Sequence, residues 1–97
     1  MKIELQNGDK VVCTLSGRLN TEVATGLCSQ VDELIVQAQG KQLVIDCSGL
    51  EYLSSSGLRL FLKIRKQCGG TVVIKGMQPD IKQIFTLTKI DSFFEFT

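Results

Sequence analysis

The sequence predicts a small α/β domain, a mixed β-sheet with helices packed on it, and three observations carry that prediction. Short runs of alternating or β-branched residues (VVCTL, LVI, TVVIK) are separated by stretches whose apolar residues recur at helical spacing. Glycine or proline stands at most of the junctions. The resulting order is strand, strand, helix, strand, helix, strand, helix. It puts an N-terminal hairpin first, then strand–helix–strand steps that run as parallel crossovers.

Residues 3–6 and 10–16 read as strands, with Val11, Cys13 and Leu15 on one face and Val12 and Thr14 on the other. Asn7, Gly8 and Asp9 suit a hairpin turn, and Ser16-Gly17 ends the second strand. Asn20 is a good N-cap for the first long helix, and Glu22 falls in its first turn, where negative charge is favoured. Val23, Leu27, Val31, Leu34, Ile35 and Ala38 form its apolar stripe, and Gly40 fits the C-cap. Gly26, inside the stripe, would allow close packing on the sheet.

Residues 41–45 form the next strand, and the succession Leu43, Val44, Ile45 suggests a central strand covered on both faces. A loop over 46–53 leads to a second helix at about 55–68, stopped by Gly69-Gly70. Its stripe is broad, with Leu58 and Phe61 assigned to the core. Residues 71–75 make a β-branched strand. Pro79 then takes the first position of a third helix, lined by Ile81, Ile84, Phe85 and Thr88. The tail DSFFEFT either adds a short edge strand or lays its rings over the core.

The totals narrow the function. Ninety-seven residues suit one domain over 1–97, and 43% hydrophobic with 22% charged residues is an ordinary globular composition. A net charge of +1 argues against a nucleic-acid surface, and Arg59, Lys63, Arg65 and Lys66 read as the solvated face of one helix. The N-terminus shows no apolar signal segment and no stretch is long enough to insert in a membrane, so a cytoplasmic monomer is expected. The four cysteines form no C-x-x-C pair and are expected to be reduced, with Cys13 and Cys28 on buried faces.

Catalysis has little to work with. The chain has no histidine, which removes the usual general base, the histidine triads and most zinc sites. S-x-x-K, G-x-S-x-G and the glycine-rich phosphate loops are missing too. Asp46 and Glu51 share a loop, but nothing fixes their separation. No enzyme, metal or cofactor is expected.

Attention therefore falls on Ser54, Ser55 and Ser56, followed by Gly57 at the start of the second helix. A serine there commonly caps the helix, accepting a bond from an N–H two or three residues on, for about 1 kcal/mol. An exposed one can instead carry a phosphate. That adds roughly −1.5 to −2 charges, tolerated at the positive end of the helix dipole. The spacing alone leaves both roles open.

The string LVIDCSGLEYLSSSGLRL resembles the signature of the STAS-domain family, the bacterial anti-sigma-factor antagonists. LSGRLN resembles the family's L-x-G-x-L-D stretch, and the segment from Gly69 to Phe96 resembles its closing strand, helix and tail. In the family the loop usually reads D-S-[ST]-G, and the first serine is phosphorylated. Alignment on Gly57 makes that residue Ser55, with Ser56 beside it and Ser54 in place of the aspartate. Asn20 also replaces a common aspartate, and Arg59 a frequent glycine.

The resemblance implies a partner switch. The protein would bind an anti-sigma factor with serine-kinase activity, freeing a sigma factor, and would be released on phosphorylation and reset by a phosphatase. The implied contact face comprises Asn20, Ser54, Ser55, Ser56, Gly57, Arg59 and Lys63. The alternative within the family is a non-phosphorylated scaffold that grips the ATPase of a lipid or anion transport system.

Overall fold

The computed structural model describes residues 2–6 and 10–97, with side chains from Lys10 onward. The expected turn at Asn7, Gly8 and Asp9 lies outside the described residues. Strand β1 (Lys2–Gln6) pairs antiparallel with β2 (Lys10–Leu19). Then β3 (Gln42–Leu53), β4 (Val72–Lys75) and β5 (Glu95–Phe96) follow in spatial order, each parallel to the strand before it. The helices are α1 (Thr21–Gly26), α2 (Cys28–Gln37), α3 (Ser55–Gln67) and α4 (Pro79–Leu87), with one turn of 3₁₀ helix over Asp91–Phe93. This is the mixed α/β architecture expected, with Pro79 opening α4 as read.

Strand β3 is where the structure departs most from expectation. The segment 46–53, read as a loop, continues the strand to Leu53, and β2 likewise runs past Ser16-Gly17 to Leu19. The β2–β3 register shifts twice, between Thr14 and Ser16 and between Gly17 and Arg18, and β3 supplies the extra residue each time. Two bulges turn a period of two into buried residues three apart, Cys47, Leu50 and Leu53. Alternation, the usual strand signal, is therefore absent from the sequence there.

The first long helix is also corrected: it is two helices, meeting at Leu27. Gly26 sits at the break, exposed and with open space around it rather than against the sheet. Its low helical propensity makes it a natural place to bend. The buried stripe runs through Ala24, Leu27, Val31, Leu34, Ile35 and Ala38, so Val23 is left outside, 42% exposed. Cys28, expected to be buried, is exposed as the first residue of α2. Gly40 lies two residues beyond the C-cap Ala38, at φ +71°.

Every helix contributes its buried residues to one cluster, which meets Val11, Cys13, Leu43, Ile45, Val72 and Ile74 of the sheet. Val12, Val44 and Val73 fall opposite one another on the other face and outside that cluster. Leu43, Val44 and Ile45 are buried on both faces of β3 as expected, while the buried helix residues join the cluster on one face. Val44 is 9% exposed, in a row with Val12 and Val73. The tail does both things expected of it: Glu95 and Phe96 add the edge strand, and the rings of Phe94 and Phe96 join those of Phe61 and Phe85. These are edge-to-face contacts with centroids 5.4–6.3 Å apart, the geometry aromatic quadrupoles prefer.

Candidate functional site: the paired helix starts

Strands β2 and β3 end side by side, Leu19 opposite Leu53. Each turns directly into a helix. The Ser54 N–H donates to the Leu19 carbonyl at 2.9 Å, tying the two turns together. Asn20 then caps α1, its Oδ1 accepting the Val23 N–H at 2.9 Å. Ser54 caps α3 in the same way, its Oγ accepting the Gly57 N–H at 3.1 Å. Two helix N-termini therefore open at one edge of the domain, each with a neutral cap.

The three serines divide the roles that the sequence left undivided. Ser54 supplies the cap. Ser56 is half-buried, and its hydroxyl reaches Thr21 Oγ1 at 3.5 Å, linking the starts of α3 and α1. Ser55 is exposed, and its hydroxyl makes no hydrogen bond among the described residues.

Gly57, a member of the expected face, is buried. A Cβ there would lie 2.8 Å from both Leu19 Cγ and Leu53 Cδ1, so only glycine lets α3 settle onto the strand ends without a shift. Of the two cations expected to share one side of α3, Arg59 is exposed. Lys63 instead reaches α2, where its Nζ meets Asp32 Oδ1 at 2.6 Å. That hydrogen bond raises the Lys63 pKa, because it favours the charged ammonium.

Two neighbours of the site were not legible in the sequence. Thr21 is a hydroxyl between Asn20 and Ser56, and no motif marks it. Arg18 lies over the exposed Tyr52 ring with its guanidinium carbon 4.4 Å from the centroid, in the row just before Leu19 and Leu53. That pairing exists only because the second bulge sets residue 18 opposite residue 52.

The other candidate chemistry is engaged elsewhere. Asp46 accepts from the Ser48 N–H at 3.0 Å and from its hydroxyl at 2.7 Å, and these bonds lower its pKa. Burial pushes the Cys13 and Cys47 thiols up to about 12, so neither is a nucleophile at neutral pH. Among the described residues no three of His, Cys, Asp and Glu come together as a metal site. No helix among them is long and apolar enough to cross a membrane.

The ends of the adjacent parallel strands β2 and β3 thus carry paired helix starts, with a serine cap and an exposed serine beside it. The family model for the STAS domain matches residues 1–97, and the chain belongs to that family. The anti-sigma F factor antagonist of Paenibacillus polymyxa is 26% identical over 92 residues, covering 91% of this chain and 79% of the relative. An anti-sigma factor antagonist from Mycobacterium paratuberculosis superposes with a TM-score of 0.79 at 25% identity, covering 98% of this chain and 81% of that one. The phosphorylated form of the Bacillus cell-fate determinant SpoIIAA gives 0.75 at 17% identity, covering 99% and 89%. That last likeness is one of fold.

Proposed function

We propose that this protein is an anti-sigma-factor antagonist whose docking face is switched by phosphorylation of Ser55. The observation that carries the reading is the division of labour among the serines. Ser54 satisfies the helix start, so Ser55 is free for a kinase without loss of a cap. Relatives named as anti-sigma factor antagonists support the partner class.

The physics of release follows from placement. A phosphate on Ser55 sits at the positive end of α3, so the folded state accepts it with little strain. A partner docked on the same face must desolvate that dianion or oppose it with like charge. Each ~1.4 kcal/mol of such cost lowers affinity tenfold. Asn20 and Ser54, standing where the family pattern has aspartate, keep both caps while removing two negative charges beside Ser55. The unmodified face is correspondingly less acidic, and the phosphate changes its sign more sharply.

In this reading the partner is an anti-sigma factor with serine-kinase activity, and a phosphatase restores the neutral hydroxyl. Incubation with that kinase and ATP, followed by mass spectrometry of the peptide spanning Ser54 to Arg59, tests it. Phosphate on Ser55, lost in Ser55→Ala, is the expected outcome. An unmodified Ser55 beside a tightly bound partner would refute the switch and favour a constant scaffold.

A further inference from the structure

The other end of α3 carries a feature the switch does not use. Leu62, Arg65 and Lys66 of α3 and Phe93 of the 3₁₀ turn line an open cleft of about 360 Å³. Arg65 Nε donates to the Phe93 carbonyl at 2.7 Å, which holds the turn against the helix. Phe94 enters the aromatic core, but the Phe93 ring is left 51% exposed at the cleft. Both charged residues of the lining are cations, and the carboxylate of Glu95 lines the adjoining cleft that shares Arg65 and Phe93.

This cleft is continuous with the serine face. Ser55, Arg59, Leu62 and Lys66 recur at spacings of four, three and four, which places them along one side of α3. The stripe spans roughly 16 Å at the helical rise. Lys63 contributes little to its charge, since Asp32 is bonded to it. Arg59 and Lys66 are exposed, and neither meets a carboxylate among the described residues.

We propose that the cleft receives an apolar side chain from an acidic segment of the protein that docks on the Ser55 face. The inference rests on the reading of that face as a docking surface and adds the chemistry of the partner. One apolar anchor lies between Leu62 and Phe93, and flanking carboxylates meet Arg59, Arg65 and Lys66. Charge selects this occupant: a basic segment would meet three cations, whereas an acidic one offsets them. The same carboxylates give a phosphate on Ser55, one turn from Arg59, something of like sign to repel.

Amide NMR shifts of the isotope-labelled protein test this with two short synthetic peptides. Each carries a central pair of leucines, flanked in one by glutamate and aspartate and in the other by lysine. The acidic peptide is expected to shift Leu62, Arg65, Lys66 and Phe93 saturably, and the lysine peptide to leave them unmoved. Phe93→Ala removes an exposed ring, so folding is preserved, and should weaken the acidic peptide at least about fivefold; Lys66→Glu should weaken it about tenfold.

Equal binding of both peptides, shifts confined to other elements, or full affinity in Phe93→Ala would overturn the proposal. So would equal binding to anionic phospholipid vesicles, which would assign the cleft to a lipid surface. The two readings fail separately. Loss of the cognate partner on Ser55→Asp, with Phe93→Ala neutral towards it, removes the cleft and leaves the switch standing.

Discussion

At its N-terminus α3 is held by small, polar devices: one hydroxyl cap, one glycine-sized gap and one hydroxyl bridge to Thr21. At its seventh residue it is held by bulk. Phe61 is 1% exposed and meets Phe85 and Phe94 edge to face. Under the proposed switch, the difference separates function from folding along a single helix. The polar end leaves the Ser55 side chain uncommitted, so on that proposal its charge would change while the scaffold stays put. In the middle of α3 Phe61 and Ile64 are buried and the Phe61 ring packs against two others, so a change there is felt as stability.

Substitutions can sharpen or break this contrast, and the largest effect belongs to the bulky end. Phe61→Ala should destabilise the domain by about 3–5 kcal/mol in urea unfolding, from lost burial and an unfilled cavity. Partner affinity per folded molecule should be unchanged. Gly57→Ala comes next, at about 1–3 kcal/mol, because its methyl must displace the buried side chains of Leu19 and Leu53. Leu19 is met at its branch carbon and both leucines are buried, so the upper part of that range is expected.

Ser54→Ala removes the α3 cap and should cost about 1 kcal/mol, while Ser54→Asp should restore it. Ser55→Ala should change stability by less than about 0.5 kcal/mol, since no described residue bonds to its hydroxyl. A Ser55→Ala protein as unstable as Ser54→Ala would erase the distinction between the two serines.

The smallest effect is that of the exposed Lys63–Asp32 pair, read by its pH dependence. The folded pKa of Lys63 is raised above its ordinary 10.5. Its contribution is therefore complete below that value and is lost as pH rises through the folded value. The stability difference between the native protein and Lys63→Met should be constant at neutral pH and shrink in strong alkali. A difference that grows with pH would contradict the assignment.

Much of the fold could be read from local pattern, because most elements obey one period from end to end. β2 up to Leu15, α3, β4 and α4 announce themselves by spacing and by Pro79 and Gly69. What escaped was made by tertiary pairing. The two bulges of β3 hide a strand inside CSGLEYL, and the bend at Leu27 moves Val23 and Cys28 off the buried face. The site was legible as a serine cluster at a helix start. Which serine caps, which bridges and which stays free depended on where α1 stands, and Thr21 entered only through that juxtaposition.

The central claim is that Ser55 can carry charge without disturbing the scaffold beneath it. The most direct measurement compares unmodified and Ser55-phosphorylated protein in the same two assays, urea unfolding and affinity for the anti-sigma factor. The account predicts unfolding free energies within about 1 kcal/mol of each other and a partner affinity at least about tenfold weaker after phosphorylation. Equal affinities in the two forms, or a loss of affinity matched by loss of the fold, would contradict it.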